Sequence, residues 1–280
     1  MNKIAWALRA GRGLRNVRGW KRFTNYMLPA STDGEFCVDN DGVRFAGNIA
    51  SFIDRQVFLF GEYERRSIAL FLSLIDPSRR GVVLDVGANV GTHALAFSRA
   101  FQKVHSFEPN PALWGAFERN VTLNAIDNVR LHRVGLGDAD AELPLYGIEK
   151  RNFGLGTFMT VEQYDMPLEK VASCRVVAAD SYLEQNGITH VDAAKIDVQG
   201  FEPVVLRGLQ QMLTRDRPIL WVEVGSGTNI ANRTELDALM PYPVKTLCIT
   251  PVRGLFAHGL ALQEVRDEQL PFGDYILIPK

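Results

Sequence analysis

The run Val82-Val83-Leu84-Asp85-Val86-Gly87-Ala88-Asn89-Val90-Gly91 constrains this chain more than any other stretch. Its apolar opening is that of a strand buried on both faces. The glycine-rich turn gives way to Thr92-His93-Ala94-Leu95-Ala96-Phe97-Ser98-Arg99, a helical segment. Strand, tight turn and helix make the opening unit of a nucleotide-binding α/β sheet. Glycine suits such a turn because the backbone bends sharply and comes close to a ligand, where a Cβ obstructs.

The spacing discriminates between ligands. A dinucleotide site takes G-x-G-x-x-G so that a helix N-terminus meets a pyrophosphate. Here the pattern is Asp85-x-Gly87-x-x-x-Gly91, with an acid at the strand end. A carboxylate repels a pyrophosphate and suits a cationic ligand carrying amine and hydroxyl donors, as S-adenosylmethionine does. Taken alone, the stretch also fits an ordinary strand-to-helix turn. The next strands add to it. Lys103 to Phe107 reads as strand two and ends in Glu108-Pro109-Asn110-Pro111, with Glu108 placed 23 positions after Asp85. A carboxylate at that tip can accept both hydroxyls of a ribose. Val129 to Leu136 reads as strand three, running into Gly137-Asp138, where the acid can accept an adenine amino group. A helix cap or turn explains either acid singly, but not the set.

Composition sets the frame. The 280 residues are 46% hydrophobic and 22% charged, the balance of an ordinary globular protein. A formal net charge of -1 gives no overall basic field, so nucleic acid is not implied as a partner. Cys37, Cys174 and Cys248 are far apart, which argues against a disulfide framework or zinc site and fits a reducing, cytoplasmic setting. No apolar run is long enough to span a bilayer.

The first 27 residues stand apart. Lys3, Arg9, Arg12, Arg15, Arg18, Lys21 and Arg22 precede the first acid, Asp33, and are interleaved with Ile4, Trp6, Leu8, Leu14, Val17, Trp20 and Phe23. As a helix this segment has a basic and an apolar side, suited to peripheral contact with the inner, anionic face of a membrane or to a partner groove. The bland alternative is a helix docked on its own domain. The arginines interrupt any signal-peptide h-region. Phe36-Cys37-Val38, Val43-Arg44-Phe45 and Val57-Phe58-Leu59-Phe60 read as three short strands of an antiparallel cap, giving a unit over residues 1–60. The main domain then covers 61–280, opening with Gly61-Glu62-Tyr63-Glu64 and a helix through Leu74.

The later chain keeps alternating. Residues from about 140 to 174 form an irregular insertion rich in Gly and aromatics (Tyr146, Phe153, Phe158, Tyr164), of the kind that lies over a site and selects its substrate. Lys150 and Arg151 there suit an acidic acceptor. Arg175 to Ala179 reads as a short strand and Ala193 to Val198 as strand four. Gln199-Gly200-Phe201-Glu202-Pro203 and one helix to about Leu213 follow, then Ile219 to Val224 as strand five. Pro243 to Ile249 and Tyr275 to Ile278 close the sheet as an antiparallel pair.

Leu84-Asp85-Val86-Gly87-Ala88-Asn89-Val90-Gly91, Phe107-Glu108-Pro109-Asn110-Pro111, Lys195-Ile196-Asp197-Val198-Gln199-Gly200-Phe201-Glu202 and Glu223, with the Gly61 and Asp180-Ser181-Tyr182-Leu183 segments, resemble the FkbM family of S-adenosylmethionine-dependent methyltransferases. The resemblance covers roughly residues 60 to 225. It implies an α/β, Rossmann-like class I methyltransferase sheet, mostly parallel, of seven strands with the last antiparallel, helices on both faces and a small N-terminal β/helical extension. It also implies methyl transfer to a hydroxyl of a small molecule, sugar or glycan. Cofactor contacts carry over to Glu64, Asp85, Gly87, Ala88, Asn89, Gly91, Thr92, Glu108, Pro109, Gly137, Asp138 and Asp197. The family usually has Glu where this chain has Gln199; an acid that binds substrate or acts as base there makes the change bear on substrate choice or activity, whereas for a helix cap Gln serves nearly as well.

Sites in open α/β sheets lie beyond the carboxyl ends of the strands. Asp197 is therefore the first candidate near the reacting centre, with Lys195 on the same face by alternation. Glu202 and Glu223 are candidates for base, or for ligands of a divalent cation together with Asp197. An ion pair, cap or turn explains each equally well. His93 and His105 read as packing residues. Two other classes compete: an NAD-type oxidoreductase, which lacks its glycine pattern here, and a catalytically degenerate binding protein.

Overall fold

The computed structural model describes residues 3–14, 17, 19–29, 31–61, 63–147, 156–158, 168–224, 230, 232–253, 258–266 and 268–280. The amphipathic N-terminus is two short helices, α1 (Lys3–Ala10) and α2 (Trp20–Met27), with left-handed Gly19 just before the second. Strands β1 (Glu35–Asn40) and β2 (Val43–Asn48) pair as an antiparallel hairpin around Asp41-Gly42, both at positive φ. The third expected strand, Val57 to Phe60, is instead the end of helix α3 (Phe52–Phe60). Its apolar run is short enough to fit either element. Ile53, Val57 and Phe60 recur at helical spacing, and Gly61 closes the helix in the left-handed region. Helix α4 (Arg65–Ser73) follows.

The glycine-rich unit folds as β3 (Val82–Val86) and α5 (Thr92–Phe97), and the next as β4 (Lys103–Phe107) and α6 (Pro111–Leu123). Pro111 stands at the start of α6, and Asn110 caps it by accepting the Ala112 N–H. The single strand expected over 129–136 is two: β5 (Val129–His132) stays in the main sheet, whereas β6 (Gly135–Gly137) joins another. That second sheet comprises β6, β7 (Ala141–Gly147), β8 (Gly156–Thr157) and β9 (Glu169–Ala178) in the order β6-β9-β7-β8. It is the expected insertion, folded largely as a hairpin. Lys150, Arg151, Phe153 and Tyr164 lie outside the described residues.

Helix α7 (Ala179–Gln185), strand β10 (Ala193–Ile196), helices α8 (Glu202–Gly208) and α9 (Gln210–Asp216), and strand β11 (Ile219–Val224) come next. The expected single helix breaks at Leu209. Helix α10 (Arg233–Ala238) and strands β12 (Val244–Arg253), β13 (His258–Glu264) and β14 (Gly273–Pro279) complete the chain. The main sheet runs β13-β12-β14-β11-β10-β3-β4-β5. Its five strands from β11 to β5 are parallel. Strand β14 enters antiparallel between β11 and β12. Among the described residues the sheet thus has one strand more than the seven expected, because β13 pairs along the free edge of β12.

Alternation along the strands divides the core. Leu84, Ala194, Ile196, Leu220 and Val222 pack with residues of α7, α8 and α9 on one face. Val83, Ala193, Ile219 and Trp221 pack with residues of α4, α5 and α6 on the other. A third cluster joins α1, the hairpin and α3. The inner strands β3, β10 and β11 are apolar but for Asp85, Lys195 and Glu223 near their carboxyl ends, whereas β4 and the edge strand β5 carry His105, Ser106, Arg130 and His132 as well.

Candidate active site

Register aligns the charged residues. Ser106, Asp85, Lys195 and Trp221 stand side by side on β4, β3, β10 and β11, and Glu223 faces Asp274 across β11 and β14. Because side chains alternate, Lys195 and Asp197 leave the sheet on one face, at the carboxyl ends of the parallel strands. A cavity of about 310 Å³ opens there. Its walls come from the turn after β3, the Glu108-Pro109-Asn110 turn, the tips of β10 and β11, and Leu145, Gly156 and Phe158 of the insertion.

One wall suits a nucleoside. Glu108 is nearly buried, and its two oxygens accept the N–H groups of Asn89 and Asn110, each at 2.8 Å. These bonds fix the carboxylate and leave a lone pair on each oxygen for ligand hydroxyls. Burial pushes the Glu108 carboxyl up to about 7, against the two amides that hold it down. Gly87, Asn89, Thr92 and Pro109 also line this wall. At Gly87 (φ 87°) a Cβ would overlap the carbonyl oxygen of Asp197. The glycine is needed for the close approach of two strand tips, a demand beyond ligand contact.

The opposite wall is a charge network. The Lys195 ammonium, in a side chain only 2% exposed, donates to Asp197 Oδ2 at 2.8 Å and lies 5.5 Å from the centre of the Trp221 ring. Gln199, in the left-handed region at φ 51°, donates from one amide nitrogen to Asp197 Oδ1 (2.9 Å) and Glu223 Oε2 (2.7 Å). Burial alone would raise the Asp197 carboxyl. The Lys195 charge and the hydrogen bonds outweigh it and hold the group well below its usual range. Burial also opposes charge on Lys195, but Asp197, Glu64 and Asp85 keep it protonated. Glu223 is raised, by burial first and by the Asp197 charge second. Asp274, which accepts from the Trp221 indole at 2.8 Å, is pushed up to about 6 by burial.

Other expected site residues lie off the cavity wall. Asp85 is fully buried, with one oxygen 3.4 Å from the Ser106 hydroxyl and the other lacking a hydrogen-bond partner; burial raises it. Ala88 is buried and Gly91 packs on Phe117 at the start of α5. Glu64 acts one step away, pairing with Nε2 of the cavity-lining His93 at 2.9 Å. Gly137 sits under α8, where its carbonyl meets Gly208, and Asp138 pairs with Arg207 at 3.1 Å on the exposed side. The split of the third expected strand carries both away from the cavity. Glu202 is buried and accepts the N–H groups of Val198 (2.9 Å) and Gly200 (3.0 Å), so it braces the loop that carries Gln199.

Asp197, Glu202 and Glu223 do converge, each offering an oxygen within 4.8 Å of the others. Those oxygens already receive protein donors: Lys195 and Gln199, the Val198 and Gly200 amides, and Gln199 again. The set is therefore a closed hydrogen-bond network more than an open cage for a cation.

Sequence reading missed Tyr63, His93, Phe52 and Phe272 on the wall and Asp274 behind it. His93 carried a signal, since it follows the glycine turn by two residues. Asp274 carried none, because only the antiparallel insertion of β14 brings it to Glu223. His105 instead pairs with His132 at 3.0 Å, away from the cavity.

The chain is similar to known proteins in sequence and in fold. The model of the methyltransferase FkbM domain matches residues 85–242, more than half of the chain. Similar proteins include Methyltransferase 1 of Beauveria bassiana (30% identical, covering 45% of this chain and 57% of the relative). The hexuronic acid methyltransferase AglP of Haloferax volcanii is 26% identical over 59% of this chain and 64% of its own. The 2-O-methyltransferase NoeI of Sinorhizobium fredii is 29% identical over 54% and 65%. The chain thus spans roughly three-fifths of the length of these curated relatives. Among solved structures, an S-adenosylmethionine-dependent methyltransferase of Agrobacterium tumefaciens superposes with a TM-score of 0.50 at 11% identity, over 89% of this chain and 71% of that one. The sheet is that of a class I methyltransferase, and the chain belongs to the FkbM methyltransferase family.

Proposed function

We propose that the chain is an S-adenosylmethionine-dependent O-methyltransferase acting on a hydroxyl of a sugar or glycan. The observation that carries this reading is the pairing of two unlike walls in one cavity: a braced carboxylate at Glu108 and the Lys195-Asp197-Gln199-Glu223 network. The first suits a ribose diol, because each Glu108 oxygen keeps a lone pair beside its backbone amide. When bound, the cofactor supplies a methyl group already activated on a sulfonium.

The protein's part is to align and relieve an alcohol, which is a poor nucleophile. Lys195 keeps Asp197 ionised, so Asp197 can accept a hydrogen bond from the acceptor hydroxyl and draw its oxygen into line. Glu223, raised by burial, holds a proton in the same network, and Gln199 fixes the distance between the two carboxyls. Phe52 and Phe272 line the cavity with half or more of their surface exposed, which suits the C–H face of a sugar ring. The names of two relatives support the acceptor class, one a hexuronic acid methyltransferase and the other a 2-O-methyltransferase.

The test is incubation with S-adenosylmethionine and a panel of hexuronic acids, neutral methyl glycosides and catechol, read by mass spectrometry. A methyl ether on a sugar bears the reading out. Methylation of catechol alone, or S-adenosylhomocysteine binding with no sugar modified, contradicts the acceptor class.

A further inference from the structure

The exposed apolar side chains are unevenly placed. Among the described residues, seven of the eleven large hydrophobics that face solvent lie in the first 27 positions: Ile4, Trp6, Leu14, Val17, Phe23, Tyr26 and Met27. The same stretch holds seven Lys and Arg and no acid. A helix docked on its own domain would bury its apolar side. Helix α1 does so only through Ala5 and Leu8, and the buried residue of α2 is the polar Thr24.

Ala5, Leu8 and Leu28 join the third cluster and Trp20 packs against it, and buried polar contacts complete the attachment. Arg9 is buried and donates to the carbonyl of Phe58 and to Asn40 Oδ1. Arg55 donates to the carbonyls of Leu28 and Pro29. Both short helices are thereby tied to α3 by guanidinium groups, while Phe23, Tyr26 and Met27 point outward beside the exposed cations Lys21 and Arg22. Trp6 meets Phe58 edge-on at 5.3 Å and Phe23 meets Trp20 at 5.4 Å. Yet Trp6, Phe23 and Tyr26 keep 44%, 47% and 82% of their surface exposed, a surplus that makes sense where it has another destination.

We propose that α1, α2 and the apolar residues between them dock on the surface of an anionic lipid bilayer. The charge decides the occupant. A second copy of this chain, net charge -1 and equally basic here, would bring like charges together in an isologous contact. An anionic bilayer offers negative headgroups to Lys3, Lys21 and Arg22 and an acyl boundary to Trp6, Phe23 and Tyr26. Among the described residues no helix is long and apolar enough to cross a membrane, so the contact is peripheral.

Co-sedimentation of the full chain tests this, with vesicles of phosphatidylcholine alone and of equal parts phosphatidylcholine and phosphatidylglycerol. Binding to the mixed vesicles, lost at high salt, is expected. It should weaken about tenfold in Lys21→Glu/Arg22→Glu and in Phe23→Glu/Tyr26→Glu. Lys21 also lies 5.5 Å from the centre of the Phe60 ring and Phe23 5.4 Å from that of Trp20, so the melting temperature should fall slightly while S-adenosylhomocysteine binding is unchanged; should a variant unfold, the lipid and salt dependence of the parent still decides. Equal binding to neutral vesicles, binding to neither, or a dimer that either double variant dissolves would overturn the proposal.

Discussion

Glu108 shows most directly how one side chain carries both fold and site. Each oxygen fixes a backbone amide of a neighbouring turn, and its remaining lone pairs face the cavity. Glu108→Ala should weaken S-adenosylhomocysteine binding by about 1–3 kcal/mol, the cost of losing hydrogen bonds to a charged group, measured by calorimetry. Asp197→Asn should instead lower kcat at least ~100-fold, far more than it weakens S-adenosylhomocysteine binding, since it removes the charge that receives the acceptor hydroxyl. Glu202 makes a third case, because it braces the Gln199 loop from behind with a carboxyl pushed by burial from 4.5 to about 7. Between those values the folded state binds more protons than the unfolded one. The stability this group contributes is therefore full below about pH 4.5 and is lost as pH rises through about 7. Asp197 shifts the opposite way and acts only in the acid range. His105 and His132, held at about 4 by burial, oppose the loss at Glu202 below about pH 6.5. The urea midpoint of the ligand-free protein should therefore fall between about pH 6.5 and 8, and Glu202→Gln should flatten that slope.

At the level of elements, the turn after β3 is held by its meeting with the tip of β10. Gly87→Ala places a Cβ against the Asp197 carbonyl at a backbone angle that disfavours side chains. It should cost at least ~2 kcal/mol in denaturant titrations, with cofactor binding reduced alongside. This scale also shows what the sequence could reveal. The parallel strands and the acids at their tips were legible, because a strand buried on both faces is apolar until it leaves the core. Val57 to Phe60 was misread because four apolar residues carry no period of their own, and only Gly61 and the spacing from Ile53 reveal a helix. Asp138 pairs with Arg207 off the cavity wall, a placement no local signal shows, because the chain changes sheets after His132. His93 was read as packing and does pack, its ring 5.5 Å from that of Trp221, yet it also lines the cavity.

For the whole molecule, the site belongs to no single layer. The parallel sheet supplies charge, the second sheet supplies Leu145 and Phe158, and α3 supplies Phe52 and Ile53. Since α1 and α2 are anchored on α3, the basic N-terminal face and the cavity share one helix. Calorimetric titration of the purified chain with S-adenosylhomocysteine, with NAD as control, tests the central claim most directly. The account predicts micromolar binding of the first, lost in Glu108→Ala, and no heat from the second. Binding of NAD, or of neither, would contradict it.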